Sequence, residues 1–363
     1  MIAVSRTTRA PAPPSSAREQ RAMSEALRRV TPIIRLAPAK LNLTLAIVGR
    51  RDDGYHAIHS VMVPLELADR LSLAPAFAPG DRLHVTGALL VDDLGPPDRN
   101  LVVRAIGVAR AACRAVGIDT PLPALAVRLE KRIPIAAGLG GGSSDGAAAL
   151  DGAVAAWGVA DALAPADRAT AAASLGSDVP FFLVGGWAFV EGRGELVTPL
   201  PAPRGPAPGV LLVTPRLAVS TAAVFAAHAG GARPAPGPAL ASSRHLAGEL
   251  AAGMSAAKLA ERAGILAVAN DLALATAALV PALVPFRRAL GRLLGRPVGQ
   301  SGSGPTLWVL YPSLVAAEAA ASRVRDAVAA GDLVAPGGQP PVVTATRIMV
   351  AGPGDAVGPG RPT

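Results

Sequence analysis

A run of glycines followed by two serines and an aspartate is the segment of this sequence best suited to chemistry. In PIAAGLGGGSSDGAAAL, residues 134–150, four of the five residues from 138 to 142 are glycine. Ser143, Ser144 and Asp145 are of the types that begin helices, and an alanine-rich run follows them. A helix N-terminus binds anions through its unpaired N–H groups, and glycines let a phosphate approach closely. The segment therefore predicts a phosphate cradle, with a flexible hinge as the simpler alternative.

Two widespread phosphate-binding motifs do not match this segment. The Walker A motif requires a lysine directly after its last glycine, and none occurs here. The dinucleotide-binding pattern G-x-G-x-x-G also fails, because its third glycine would fall on Ser143 or on Asp145. A phosphate cradle in this chain would therefore belong to another class of nucleotide-binding protein.

Lys40 is the cation whose surroundings favour a role in a binding site. It is one of only three lysines in the chain, and it precedes the alternating segment LNLTLAIV, residues 41–48. In a strand of this pattern, Lys40 and Asn42 share one face while the leucines between them point to the other. The simpler alternative is a solvated lysine at the end of a strand.

Asp178 is the acid with the most defined expected position. It lies in LGSDVPFF, just after a predicted helix end at Gly176. Pro180 disfavours a helical Val179, so the chain is expected to turn sharply at Asp178 between apolar segments. A carboxylate held in this way can take a proton from a hydroxyl. The alternative is a turn aspartate that bonds to its own backbone.

Two further turns carry residues of interest. GRRDDGYH, residues 49–56, combines a turn-like DDG with Tyr55 and His56, in a chain that has only two tyrosines. A tyrosine beside a histidine suggests a ligand contact, although a hairpin turn followed by a packed tyrosine is the alternative. SGSGPT, residues 301–306, is a second glycine- and serine-rich turn before a strand, where Pro305 fits a tight loop.

The elements that must position these residues follow an α+β pattern. Strand patterns cover residues 41–48, 70–74, 124–130, 187–192, 210–215, 307–311 and 342–350. One helix is predicted over 100–117, with Asn100 as its N-cap and Gly117 as its end, and another over 166–175.

Two stretches rich in proline and glycine, residues 199–209 and 230–243, predict the domain organisation. The first is expected to separate an N-terminal domain, residues 33–200, from a C-terminal domain, residues 209–352. The second is predicted to be a long surface loop. Residues 1–32 are expected to form a disordered basic extension, although a basic segment can also bind nucleic acid or a membrane surface.

Composition limits the class of protein. The formal net charge is +9, and 51% of the residues are hydrophobic, so a large core is possible. A single cysteine, Cys113, excludes an internal disulfide and a cysteine-cluster metal site, and it fits a reducing compartment. Asn270 and Asp271 interrupt the apolar residues 264–286, which predict a buried or half-buried helix rather than a membrane span. We therefore expect a soluble, cytosolic protein with no nucleic-acid or membrane partner.

Four segments, in the expected order, resemble the GHMP kinase superfamily. They are APAKLNLTLAIVGRRDDGYHAIHSV (37–61), PIAAGLGGGSSD (134–145), GSDVPFFLVGGWAFVEGRGE (176–195) and SGSGPTLWVL (301–310). The triple glycine followed by two serines is most similar to the 4-diphosphocytidyl-2-C-methyl-D-erythritol kinase family within it. The resemblance spans about residues 35–350. It implies an α+β, two-domain GHMP kinase fold, with a ribosomal-S5-like N-terminal domain, a ferredoxin-like C-terminal domain and the active site between them.

The resemblance also implies an activity, which is ATP-dependent phosphorylation of the 2-hydroxyl of 4-diphosphocytidyl-2-C-methyl-D-erythritol in non-mevalonate isoprenoid biosynthesis. Lys40 and Asp178 would be catalytic, with Asp178 as the base. Asn42, Tyr55, His56 and Phe225 would bind the substrate, the last three around the cytosine. The ATP-binding residues would be Pro134, Ile135, Ala136, Ala137, Gly138, Leu139, Gly140, Gly141, Gly142, Ser143 and Ser144. Mg²⁺ is expected with ATP, and the Ser144 hydroxyl is a candidate ligand, whereas no other metal ligand is predicted.

Two alternatives stay open from the sequence. Another GHMP kinase, of the homoserine or mevalonate type, would share the fold but not the cytidine-binding segment 49–56. A non-catalytic nucleotide sensor on the same fold is a different class, and the presence of both Lys40 and Asp178 argues against it. Gln300 and Gly146 depart from the methionine and alanine usual in the superfamily, which questions the local packing but not the resemblance.

Overall fold

The computed structural model describes residues 31–76, 79–87, 99–230 and 237–350. All but the last two residues of the predicted basic extension, 1–32, lie outside the described residues. The described residues form two β-sheets, each built from a different part of the chain, together with the helices that cover them.

The first sheet takes its strands from residues before position 201. They are β1 (Ile33–Asn42), β2 (Ala46–Arg50), β3 (His56–Pro75), β4 (Arg82–Thr86), β5 (Leu125–Glu130), β6 (Trp187–Glu191) and β7 (Leu196–Leu200). The path runs β4-β5-β3-β6-β7, and β1 and β2 also pair with β3. The pairs are antiparallel except β4 with β5. Because β3 pairs with four other strands, it organises the whole sheet.

The strand predictions near the N-terminus are corrected in two respects. The predicted strand 70–74 is only the end of β3, which has 20 residues. The predicted strand 41–48 is interrupted, since β1 ends at Asn42 and β2 begins at Ala46. At the interruption, Thr44 Oγ1 accepts a hydrogen bond from the Val61 N–H at 3.0 Å. A hydrogen bond to a side chain thus replaces the backbone pairing of a continuous strand. The alternation of apolar and polar residues in the sequence gives no sign of this interruption.

Four helices lie against the first sheet. They are α1 (Leu101–Ala115), α2 (Gly141–Ala156), α3 (Pro165–Leu175) and α4 (Val179–Val184). The predicted cap of α1 is confirmed, because the Asn100 side chain accepts a hydrogen bond from the Val102 N–H. Helix α2 is packed closely against the sheet, since a Cβ on Gly152 would lie 2.7 Å from Leu73 Cδ1. This close packing explains why α2 is built mainly from alanine and glycine.

The expected extended conformation before Pro180 is wrong. Val179 is the first residue of α4, and Pro180 occupies the second helical position. Proline is tolerated in the first turn because its missing N–H would have no intrahelical partner there. The change of chain direction at Asp178 is therefore made by a turn that leads into a short helix.

The second sheet uses residues after position 208. Its strands are β8 (Gly209–Thr214), β9 (Gly299–Gln300), β10 (Leu307–Tyr311) and β11 (Val342–Arg347), in the antiparallel order β11-β8-β10-β9. Its helices are α5 (Thr221–Gly230), α6 (Pro238–Ala251), α7 (Ala256–Glu261), α8 (Ala263–Val268), α9 (Leu272–Leu279), α10 (Leu283–Leu294) and α11 (Leu314–Ala329). Residues 201–208 connect the two sheets.

Two predictions in this half are corrected. Residues 231–236 of the predicted surface loop 230–243 lie outside the described residues, and the segment is helical from Pro238 onwards, because the proline begins α6 rather than breaking structure. The predicted single helix over 264–286 is divided into α8, α9 and the start of α10. Among the described residues, no single helix is long and apolar enough to cross a membrane. Helices α9 and α10 reach that length and apolar composition only when they are taken together, and the pair is bent by 116°.

Hydrogen bonds between β3 and residues 346–349 join the two sheets. The Leu67 N–H donates to Thr346 Oγ1 at 3.0 Å, and the Met349 N–H donates to the Pro64 carbonyl at 2.9 Å. The indole N–H of Trp187 donates to the Met349 carbonyl at 2.8 Å. These hydrogen bonds fix the second sheet to the first.

Candidate active site

One cavity of about 1170 Å³ collects residues from both halves of the chain. Its walls include the end of β1, the turn before α4, and α5 with the residues before it. They also include the glycine loop, defined as residues 134–142. The predicted catalytic and substrate-binding residues all line this cavity: Lys40, Asp178, Asn42, Tyr55, His56 and Phe225. The predicted nucleotide-binding residues 134–143 line it too, whereas Ser144 is buried and does not.

Lys40 is a buried cation that faces an acid and an amide. Its Nζ donates a hydrogen bond to Asn42 Oδ1 at 2.5 Å and lies 3.8 Å from Asp178 Oδ2. Burial of the ammonium lowers the pKa of Lys40, and the Asp178 carboxylate partly opposes that shift. Asn42 is itself held in place, because its amide donates to Ser60 Oγ at 2.8 Å. Lys40 and Asn42 therefore share one strand face, as predicted, and both are fixed.

Asp178 is the more accessible member of the pair. Its side chain is 32% exposed, compared with 6% for the Lys40 side chain, and it lines the cavity. It lies at the residue before α4, where the chain turns out of α3. A hydroxyl in the cavity can therefore reach the carboxylate, while the ammonium stays behind it as a fixed positive charge.

The glycine loop leads directly into a helix without a side-chain cap. Gly138 and Gly140 adopt left-handed conformations, with φ of 77° and 69°, and Gly140 is the N-cap of α2. Helix α2 thus begins at Gly141, so Ser143 lies in its first turn, as the prediction allowed, whereas none of Ser143, Ser144 and Asp145 is its N-cap. The first intrahelical bond is donated by the Ser144 N–H to the Gly140 carbonyl. The N–H groups before it in the first turn have no intrahelical partner and are free to bind an anion.

Three hydrogen bonds fasten the glycine loop to its surroundings. The Lys40 N–H donates to the Leu139 carbonyl at 2.9 Å. From the 301–306 turn, Ser301 Oγ donates to the Gly138 carbonyl at 3.0 Å, and the Thr306 N–H donates to the Ala137 carbonyl at 3.3 Å. The loop is therefore fixed at its centre, which contradicts the flexible-hinge alternative.

The aromatic residues predicted around cytosine form a second part of the cavity. The rings of His56 and Phe225 lie 5.3 Å apart between centroids and are tilted by 31°. Tyr55 is 51% exposed, and the Arg193 guanidinium lies 5.2 Å from the centre of its ring. An exposed tyrosine ring and a neighbouring histidine can provide a stacking surface and a polar edge for a planar base.

Comparison with known proteins gives a consistent result. The family model "GHMP kinases N terminal domain" matches residues 100–186. A 4-diphosphocytidyl-2-C-methyl-D-erythritol kinase from Pelotomaculum thermopropionicum is 39% identical over 295 residues, which is 81% of this chain and 94% of the relative. A crystal structure of 4-(cytidine 5'-diphospho)-2C-methyl-D-erythritol kinase matches with a TM-score of 0.59 and 31% identity, and covers 87% of this chain and 99% of its own.

The chain belongs to the 4-diphosphocytidyl-2-C-methyl-D-erythritol kinase family. Homoserine kinase from Cytophaga hutchinsonii has a TM-score of 0.63 at 18% identity and covers 88% of this chain and 96% of its own, so it shares the fold alone. The predicted family, the kinase class and the α+β GHMP kinase fold are thereby confirmed. The individual roles of the site residues remain predictions that rest on the geometry above.

Several residues at this kinase site were not singled out from the sequence. Arg193 lies over Tyr55, and Lys131 lines the cavity behind the glycine loop. Asp145, which also lines the cavity, was named only as a residue type that begins helices. Lys131 had one available signal, because the chain has only three lysines. Arg193 had none, since arginine is common throughout this chain.

The two departures from the superfamily pattern are accommodated locally. Gln300 Nε2 donates to Thr276 Oγ1 at 3.0 Å and to the Gly302 carbonyl at 3.1 Å, so it supports the 301–306 turn with polar contacts. A Cβ on Gly146 would lie 3.5 Å from Leu101 Cβ, which is an ordinary contact distance. Neither residue disturbs the site.

Proposed function

We propose that this chain transfers the γ-phosphoryl group of ATP to the 2-hydroxyl of 4-diphosphocytidyl-2-C-methyl-D-erythritol. One observation carries the proposal. The Lys40–Asp178 pair lies in a single cavity that is also lined by the glycine loop and by the aromatic residues Tyr55, His56 and Phe225. A nucleotide, a reacting hydroxyl and a cytosine each have a suitable surface within that cavity.

The chemistry at the reacting hydroxyl follows from the arrangement of Lys40 and Asp178. Asp178 takes the proton from the hydroxyl as its oxygen attacks the γ-phosphorus. The Lys40 ammonium stabilises negative charge on the transferring phosphoryl group. Asn42 holds the Lys40 ammonium and presents its own amide near the polyol part of the substrate. Because Lys40 and Asn42 are buried and hydrogen-bonded, they need little reorganisation during the reaction.

The glycine loop binds the triphosphate through backbone N–H groups at the start of α2. Mg²⁺ supplies charge neutralisation of the phosphates when it is bound. The Ser144 hydroxyl, the candidate ligand from the sequence, is buried without a hydrogen-bond partner among the described residues, but it does not line the cavity, so its role as a ligand of that ion stays a prediction. Across the same residues, no group of three or more His, Cys, Asp or Glu side chains could hold a metal by itself. Mg²⁺ would therefore enter with the nucleotide, held largely by phosphate oxygens and water.

The cytidine end of the substrate is assigned to the aromatic residues. Tyr55 offers the stacking face, His56 the hydrogen bond to the base edge, and Phe225 packs beside the histidine ring. Phe225 lies on α5, in the second half of the chain. Substrate binding thus uses both halves, for which we propose the domain bounds 33–200 and 209–352. We also propose a cytosolic location.

An ATP-consumption assay tests the proposed activity. The purified chain is supplied with MgATP and, separately, with 4-diphosphocytidyl-2-C-methyl-D-erythritol, homoserine and mevalonate, and ADP release is followed. We expect turnover with the cytidine substrate alone, and phosphorus NMR of the product should show a new monophosphate ester. ATP binding without turnover on any acceptor would favour a nucleotide sensor, and turnover on homoserine or mevalonate would overturn the substrate assignment.

A further inference from the structure

Three charged side chains are buried together behind the glycine loop. Asp69, Lys131 and Asp145 are 0%, 7% and 4% exposed. Lys131 Nζ donates hydrogen bonds to Asp69 Oδ2 and to Asp145 Oδ2, the latter at 2.7 Å. They come from β3, from the segment after β5 and from the second turn of α2, so the cluster joins three elements.

The cluster is anchored on the side of the sheet. Asp69 Oδ1 accepts hydrogen bonds from the N–H groups of Arg132 and Ile133, at 2.5 and 2.9 Å. The Lys131 N–H donates to the Thr86 carbonyl at 2.7 Å. The chain that enters the glycine loop is therefore fixed to the sheet through both backbone and side chain.

The contact between Lys131 and Asp145 closes the loop at its base. Lys131 precedes the glycine loop and Asp145 follows it, so one ion pair joins the two ends of the phosphate-binding segment. The ammonium also lies directly beside the first residue of α2, because a Cβ on Gly141 would be 3.3 Å from Lys131 Nζ. Both side chains line the cavity.

The cluster keeps a polar atom buried at a cost beside the glycine loop. Asp145 Oδ1 is buried without a hydrogen-bond partner in the described part of the chain, and such a group is costly. Asp69 and Lys131 are the charged groups that face Asp145. A buried acid kept at this cost, next to the residues that enter and leave the loop, points to a role in the loop rather than in stability alone.

We propose that Lys131 and Asp145 are positioning residues for the nucleotide, and that their contact holds the glycine loop in the geometry that binds the triphosphate. The inference rests on the proposed use of ATP and adds a requirement for this contact between the two side chains. It places the effect on ATP binding rather than on the Lys40–Asp178 pair or on the aromatic residues.

Four variants separate this role from a purely structural one. Asp145→Leu removes the contact, Asp145→Asn keeps an oxygen for Lys131 without the charge, and Lys131→Met with Asp145→Leu removes both partners. Glu130→Gln is the matched control, because it breaks the exposed Glu130–Arg132 pair on the neighbouring residues. For each variant, the affinity for a non-hydrolysable ATP analogue is measured by calorimetry, and KM and kcat are measured for both substrates.

We expect Asp145→Leu to weaken analogue binding and raise the KM for ATP by about tenfold or more, a change equivalent to ~1.4 kcal/mol. The KM for the cytidine substrate should be unchanged. Asp145→Asn should recover most of the loss, and the double variant should be no worse than Asp145→Leu, since both remove the same contact. Glu130→Gln should match the wild type in all measurements.

Two results would overturn the inference. One is a folded Asp145→Leu or double variant that binds the analogue as tightly as the wild type. The other is a loss of melting temperature in Asp145→Leu and Asp145→Asn alike, without any change in ATP affinity, which would make the cluster structural only. If Asp145→Leu does not fold, the Asp145→Asn and double variants decide the same question. Calorimetry with the analogue needs no acceptor substrate, so the result is independent of whether the proposed activity is correct.

Discussion

Lys40 Nζ lies 3.8 Å from Asp178 Oδ2, with the ammonium buried and the carboxylate open to the cavity. Lys40 lies on β1, early in the part of the chain that forms the first sheet, and Asp178 lies late in that part, in the turn before α4. The pair is not a stabilising surface contact, because its lysine is desolvated and its pKa is lowered by burial. A desolvated cation beside an accessible acid suits the phosphoryl transfer to a hydroxyl that we propose.

Asp178→Asn should abolish most turnover while leaving nucleotide binding near the wild-type level. The asparagine keeps the shape of the turn but cannot accept the proton of the hydroxyl, and loss of a general base costs roughly 10²–10⁴-fold. The measurement is kcat at saturating substrates, with calorimetry of an ATP analogue as the control for folding and binding. Retention of more than about half of the wild-type kcat would show that Asp178 is not the base.

Tyr55→Ala should raise the KM for the cytidine substrate and leave the KM for ATP unchanged. The tyrosine ring is half exposed in the cavity, and aromatic stacking on a base contributes about 1–3 kcal/mol, or roughly 5- to 150-fold in affinity. Tyr55→Phe is the matched variant, since it keeps the ring and should behave almost as the wild type. Steady-state kinetics with each substrate varied in turn would give the answer. A raised KM for ATP with an unchanged KM for the cytidine substrate would assign Tyr55 to the nucleotide instead.

Gly140→Ala should damage both ATP binding and stability, whereas Gly142→Ala should be mild. Gly140 has φ of 69°, which costs another residue about 1–2 kcal/mol. A Cβ there would also lie 2.8 Å from Lys40 Cγ and 2.9 Å from Phe182 Cζ. At Gly142 the nearest atom to a new Cβ is Leu101 Cδ1, at 3.9 Å. Melting temperature and analogue affinity of the two variants should therefore differ clearly, and equal behaviour would argue that the loop does not depend on its backbone geometry.

Asp145→Asn should become more stable relative to the wild type as pH rises from about 5 to about 8. The pKa of Asp145 is raised by burial from 3.8 to about 8, so in this range the folded chain keeps a proton that the unfolded chain has released. Folding stability then falls with rising pH in the wild type, and the asparagine variant lacks this term. Thermal unfolding of both proteins at several pH values measures the difference. Asp151→Asn, on the same helix, is the control, and a pH trend no larger than in that control would contradict the prediction.

Much of the candidate site could be predicted from local sequence because its parts are continuous segments. The glycine run, the position of Asp178 after α3 and the Lys40–Asn42 spacing are each determined by neighbours in the chain. The helix cap at Asn100 is of the same kind, since a cap bonds within its own first turn. Because such patterns depend on residues that are close in sequence, the folded protein keeps them. The four ordered motifs therefore indicated the family before any contact was known.

Only the tertiary structure decided how these segments are combined. Sequence spacing could not show that Ser301 and Thr306 hold the glycine loop, because those hydrogen bonds join the two halves of the chain. It also could not show the Asp69–Lys131–Asp145 cluster, whose energetics depend on complete burial. The start of α2 at Gly141 was missed for a related reason. Side-chain caps are visible in a sequence, but a helix end left open for a ligand carries no capping residue, and its place is set by the packing of the loop against Lys40 and the 301–306 turn.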